Sequence, residues 1–184
     1  MYNKKRRFHK MNYNDLATKA HENAVKHGFW ERKLSNEHCL CLVLTEVCEA
    51  VEADRKGNHA DYDGYAKMPN KQAGFEQFIK SSVEDELADV AIRLADLAGA
   101  LGVDFTKMQP CRYYRAFGKF SFTENAFALC KGLSKDAIGI EKRIQFGLDY
   151  VFNWAHYNGI DLAAYIEAKM RYNIMRPIRH GKKY

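Results

Sequence analysis

The chain has 184 residues, 47% hydrophobic and 28% charged, with a formal net charge of +6. That composition supports a single domain with its own hydrophobic core and excludes a chain disordered throughout. No run of about eighteen apolar residues exists to span a bilayer, and the basic start MYNKKRRFHK leads into no apolar leader core, so a cytoplasmic protein with no membrane partner is expected.

Prolines occur only at 69, 110 and 177, and periodic apolar residues fill the stretches between them. The pattern predicts an all-α fold of six or seven helices and no strand. The first helix runs from about Asn14, a suitable N-cap, to Lys26. The second runs from about Ser35 to Lys56, with Gly57 where a C-terminal glycine belongs. Residues 57–76 are rich in Gly, Asn and Asp and aperiodic, so a long loop is expected there. A third long helix spans about Ser81 to Leu101, stopped by Gly102. Shorter helices are predicted near 106–116 and 124–132, and another from Lys135 to Tyr157. The last covers about Leu162 to Met175 and stops at Arg176-Pro177, since a residue before proline disfavours helix. LGVDFTKM (101–108) and NGIDLAAYIEAKM (158–170) share Gly, a β-branched residue and Asp after a helix, which reads as a duplication or simply as a turn followed by an N-cap.

The five cysteines, Cys39, Cys41, Cys48, Cys111 and Cys130, are odd in number and form no C-x-x-C pair. That fits a reducing compartment, argues against structural zinc, and predicts core positions for most of them. The charge is uneven. Lys4, Lys5, Arg6, Arg7 and Lys10 cluster at the start, and Arg176, Arg179, Lys182 and Lys183 at the end. Such tails meet nucleic acid, keep a chain soluble, or meet the phosphates of a small ligand.

Acid concentrates in the middle. LTEVCEAVEA (44–53) places Glu46, Glu49 and Glu52 at spacings of three, with a cation at i+4 only for Glu52, namely Lys56. Like charges so placed destabilise a helix by about 0.2–0.5 kcal/mol per pair. Either the stripe Thr45, Glu49, Glu52 and Lys56 is a solvated face opposite Val43, Val47 and Val51, or a cation from outside compensates it. A second group, Glu84, Asp85, Glu86 and Asp89, precedes an apolar face running from Leu87 to Leu101, with Arg93 placed to pair with Asp89 on the surface. Two such helices packed antiparallel converge Glu46, Glu49, Glu86 and Asp89. Carboxylates with no soft ligand suit a hard divalent cation, Mg²⁺ or Mn²⁺. A di-iron bundle would want Glu-x-x-His pairs, and neither His38 nor His156 has a glutamate three residues before it. Independently, Lys169, Asn173 and Arg176 fall at i, i+4 and i+7 and share a helix face suited to polyphosphate.

Glu-x-x-Glu followed by Glu-x-x-Asp on two helices resembles the MazG-like, all-α nucleoside triphosphate pyrophosphohydrolases. The matching stretches are LCLVLTEVCEAVEA (40–53), EDELADVAIRLADLAGALGVD (84–104) and GIDLAAYIEAKMRYNIMRPIRHGKKY (159–184). The resemblance implies one all-α domain over residues 1–184, self-associated as a dimer or tetramer. It implies Mg²⁺ on Glu46, Glu49, Glu86 and Asp89, with Lys169 and Asn173 contacting the phosphates and substrate. The reaction implied is hydrolysis of a nucleoside triphosphate to monophosphate and pyrophosphate, with Glu49 or Glu52 accepting the proton of the attacking water and Lys169 or Arg176 steadying developing charge. Trp30 and His38, with Phe29, are candidates to stack on the base, as are Tyr62, Tyr65 and Phe75; the alternative for all of them is core or anchoring aromatics. Two features depart from the family. Thr45 stands where some members carry a further glutamate, and 79 residues separate Asp89 from Lys169, leaving room for inserted helices at about 106–157. The rival readings are a helical nucleotide-binding protein without turnover, and a nucleic-acid-binding module using the basic tails. The acidic centre counts against the second.

Overall fold

A computed structural model describes residues 11–109 and 116–181, and among them the fold is all-α. The elements are α1 (Tyr13–Lys26), α2 (Asn36–Arg55), α3 (Tyr62–Lys67), α4 (Lys71–Phe78), α5 (Val83–Leu101), α6 (Phe122–Leu133), α7 (Ile140–Tyr157) and α8 (Leu162–Ile174). Single 3₁₀ turns lie at Phe105–Lys107, Phe117–Lys119 and Ile178–Gly181. No described helix is long and apolar enough to cross a membrane. Lys4, Lys5, Arg6, Arg7, Lys10, Cys111, Lys182 and Lys183 lie outside the described residues.

Helix α5 is the axis, with α1, α2, α7 and α8 packed around it. Its sequence explains the place. Leu87, Val90 and Leu94 are fully buried, and Ala88, Ala91, Ala95 and Ala98 let neighbours approach from every side. At Gly99 a Cβ would lie 2.6 Å from the Ala17 carbonyl oxygen, so α1 and α5 touch backbone to backbone. Helix α1 runs antiparallel to α5, Ala17 opposite Gly99 and His21 opposite Asp96. Helix α2 is antiparallel to α5 on another side, with the Cys39 thiol near Asp96 and Glu46 bound to Arg93.

The ends follow from local chemistry. Asn12, Ser35 and Ser82 cap α1, α2 and α5 by accepting backbone N–H bonds, and Ser121 with Glu124 forms a capping box on α6. Gly102 closes α5 in the left-handed conformation at φ 65°. The Gly-x-Asp echo is of this kind: Gly102 and Gly159 both have positive φ, and Asp104 and Asp161 start the next elements.

Three expectations are corrected. The stretch 57–76 is no long loop, because α3 and α4 occupy most of it, capped by Asp61 and Asn70. Tyr65 and Phe75 from these helices are buried, Phe75 stacks on Tyr172 of α8 at 4.4 Å, and Tyr62 packs edge-on against Tyr165 at 5.2 Å. These rings are therefore core, not base-stacking groups. Instead of a helix at 106–116 there is a 3₁₀ turn at Phe105–Lys107 capped by Asp104, and the rest of that span, 110–115, is outside the described residues. Of the four described cysteines, all free, only Cys39 and Cys130 pack against the core, half-buried, while Cys41 and Cys48 are exposed.

Candidate functional site

Carboxylates meet where α2 passes α5. Glu46, Glu86 and Asp89 each offer a ligand oxygen, and these atoms all lie within 4.8 Å of one another. Glu46 and Glu86 are buried and Asp89 is half-buried. Each arrives for a local reason. Glu46 sits on the buried face of α2 between Val43 and Ala50, while Glu86 lies in the first turn of α5, where the helix dipole favours negative charge, and Asp89 lies one turn further on the same side.

Two cations are built into the cluster. Arg93 Nε donates to Glu46 at 2.5 Å, so the surface pair expected with Asp89 gives way to an interhelical one. Lys169 Nζ of α8 lies 2.7 Å from Asp85 and 2.7 Å from Asp89, buried, and 5.4 Å from the centre of the Phe75 ring. Four carboxylates, Glu46, Asp85, Glu86 and Asp89, therefore face two cations. The balance left is two negative charges, the charge of one divalent ion.

The electrostatics register that excess. Burial first, then the charges of Asp85 and Asp89, push the Glu86 carboxyl up to about 8 from an ordinary 4.5. Burial raises Asp85 to about 6, with Lys169 pulling the other way. Glu46 is raised by burial and by Asp89, and Arg93 offsets part of that. For Lys169, burial opposes the charged form, but Asp89 and Asp85 outweigh it and hold the ammonium above its ordinary value. Without a further cation the cluster keeps a proton near neutral pH. A hard divalent ion fits this set, because only carboxylate oxygens are offered and their charge, once the retained proton is displaced, is under-compensated.

The other expected site residues are spread around this centre. Glu49 is exposed one turn beyond Glu46, outside the group of converging oxygens, yet near enough for its charge to raise both Glu46 and Arg93. Glu52 is also exposed and holds Arg55 at 2.9 Å and Lys56 at 3.2 Å on its own helix. Asp85 was not singled out by sequence as a site residue. Its signal was its position four before Asp89, on the same helix face.

Beside the carboxylates lies a cavity of about 240 Å³ between α1, α2, α5 and the end of α8. Asp89 and Arg93 line it, and so connect it to the cluster. Asn173, Arg176, His38 and Phe29 line it as well, together with Arg32 and Arg179. Trp30 and Lys169 are not among its lining residues. Trp30 Nε1 donates to Asp96 at 2.9 Å, sharing that carboxylate with His21 at 2.8 Å, so the indole anchors the α1–α2 connection. Arg179 ties down the far end of the chain. Its backbone N–H donates to the His27 carbonyl at 2.8 Å, and its guanidinium reaches the Gly28 carbonyl and Glu31. No protein-family model, no curated protein and no solved structure matches the chain.

Proposed function

We propose that this chain is a MazG-like, Mg²⁺-dependent hydrolase that splits a nucleoside triphosphate into a monophosphate and pyrophosphate. The observation that carries the reading is the junction at Asp89: one carboxylate belongs both to a cluster short of one divalent charge and to a cavity whose lining holds Arg32 and Arg176 beside the paired Arg93 and Arg179 and the carboxylates of Glu31 and Asp96. A phosphate chain and its metal need those two environments side by side.

In this reading Glu46, Glu86 and Asp89 hold the ion, and Arg93 and Lys169 fix their orientation from either side. Mg²⁺ bound there would screen the phosphates and orient the α-phosphorus toward water. Arg176, with Arg32 and Arg179, steadies the charge that develops on the pyrophosphate leaving group. Glu49, exposed beside Glu46 with no ion pair among the described residues, is better placed than Glu52 to accept the proton of the attacking water. A second reading, nucleotide binding without turnover, draws on Thr45. Its hydroxyl donates to the Leu42 carbonyl at 2.7 Å and supplies no base.

A panel of nucleoside triphosphates with Mg²⁺, resolved by chromatography, separates the two. Monophosphate and pyrophosphate as first products support hydrolysis at the α-phosphorus; free orthophosphate as first product rules it out. An α,β-methylene analogue should bind and resist, while a β,γ-methylene analogue should still be cut. Binding with no product from any triphosphate leaves the second reading.

A further inference from the structure

The carboxylates at the start of α5 serve two places. Glu86 and Asp89 converge with Glu46 on one of them, and Asp85 is not part of that group. Asp85 and Asp89 together make the other, and Asp89 is common to both.

The second place holds a cation supplied by the chain. Lys169 Nζ lies 2.7 Å from Asp85 Oδ1 and 2.7 Å from Asp89 Oδ2, and the centre of the Phe75 ring is 5.4 Å away on a further side. Asp85 is 2% exposed, Lys169 6%, and Phe75 is fully buried. The remaining oxygen of Asp85, Oδ2, accepts from the Ser81 backbone N–H at 2.9 Å, so both of its oxygens are engaged away from the open cluster. The lysine is fixed as firmly as its partners. On α8, Ile166 and Tyr172 are buried on either side of it in sequence, and Tyr172 stacks on Phe75. A helix packed in this way presents its ammonium at one place.

Two adjacent cation places that share a carboxylate could hold a pair of divalent ions. Here one of the two is filled from within. The charge count agrees. With every carboxylate ionised, Glu46, Asp85, Glu86 and Asp89 against Arg93 and Lys169 leave an excess of two negative charges, which one divalent ion cancels. Without Lys169 the excess is three, more than one such ion cancels.

We propose that the ammonium of Lys169 stands in the position of a second divalent ion, so that the centre takes one Mg²⁺ and no more. The inference rests on the reading of Glu46, Glu86 and Asp89 as metal ligands and adds to it the number of ions and its cause. A cation tethered to the fold competes at a high effective concentration and keeps a free ion out. The same contacts turn Lys169 away from the phosphates, so charge on the leaving group falls to the cavity arginines.

The test counts Mn²⁺ ions per chain by calorimetry, with electron paramagnetic resonance to show whether bound ions are neighbours. The wild-type chain should bind one. Lys169→Met keeps an apolar stem and removes the charge; it should bind two, and their resonances should broaden each other because both positions share Asp89. Adding Asp85→Asn to Lys169→Met removes a ligand of the second position and should return the count to one. If Lys169→Met is unfolded in chelator, it is refolded with Mn²⁺. Recovery of helical circular dichroism with two ions bound supports the inference; no recovery shows that Mn²⁺ cannot replace the ammonium and overturns it. Two ions on the wild-type chain, or one on folded Lys169→Met, overturn it and leave the metal centre standing. No Mn²⁺ on the wild-type chain overturns the metal reading and this inference together.

Discussion

Glu86 is the residue whose ionisation the fold perturbs most usefully. Its folded value, about 8, lies above the ordinary 4.5 that the unfolded chain restores. The folded state therefore binds a proton more tightly than the unfolded one. The stability this contributes is complete below about pH 4.5 and is lost as pH rises through about 8. In chelator, the melting temperature should fall between pH 5 and pH 8.5, and Glu86→Gln should flatten that fall. A divalent ion that needs Glu86 ionised must expel the proton. Titrating Mg²⁺ near pH 7 in two buffers of different ionisation enthalpy should then show release of about one proton. Identical apparent enthalpies in the two buffers would mean that Glu86 is already ionised. Spacing made Glu46, Glu86 and Asp89 legible, because three-residue intervals fix which side chains share a face. The orientation of Lys169 was not legible. Sequence put it on a face with Asn173 and Arg176, but only packing decides that its ammonium turns to Asp85 and Asp89 while the other two line the cavity.

Among the elements, α5 carries both core and site, and Gly99 is where α1 reaches it. Two effects oppose each other in Gly99→Ala. Helix propensity favours alanine by about 1 kcal/mol. Against that, the new methyl meets the Ala17 carbonyl and the His21 side chain at 2.6 Å, and one of the clashing atoms is backbone. Overpacking of this kind costs about 1–3 kcal/mol, so the variant should be destabilised by up to about 2 kcal/mol in chemical denaturation. A stabilised Gly99→Ala protein would mean that α1 slides freely over α5. The long helices were legible because period and caps agree, as Ser35, Gly102 and the Arg176-Pro177 break illustrate. Helices α3 and α4 were not, because six- and eight-residue helices containing Gly64 and Gly74 have too little period to register. They are held by burial of Tyr65 and Phe75, and a Cβ at either glycine would strike Phe78 or Met68.

For the whole molecule, a ligand selective for the folded state raises its stability by mass action, by about 2.7 kcal/mol at a hundred times its dissociation constant. Mg²⁺ or Mn²⁺ at neutral pH should therefore raise the melting temperature. Glu46→Gln and Asp89→Asn should each abolish the rise while preserving helical circular dichroism. A rise undiminished in both variants would place any bound ion elsewhere. That the protein is all-α was legible from three prolines and continuous periodicity. The cavity was not, because its walls come from residues 20–42, 89–96 and 173–179, and no local pattern links them.

The ion pair between α5 and α8 also constrains the order in which the protein can be made. Asp85 and Asp89 are synthesised long before their partner; 79 residues lie between Asp89 and Lys169. At roughly 5–20 residues per second, a ribosome leaves that acidic pair without its ammonium for about 4–16 s. During that interval the start of α5 cannot settle into its buried place without leaving uncompensated carboxylates there. A nascent chain arrested before Lys169 should consequently remain sensitive to protease around residues 80–90, and should gain protection only once α8 has cleared the exit tunnel.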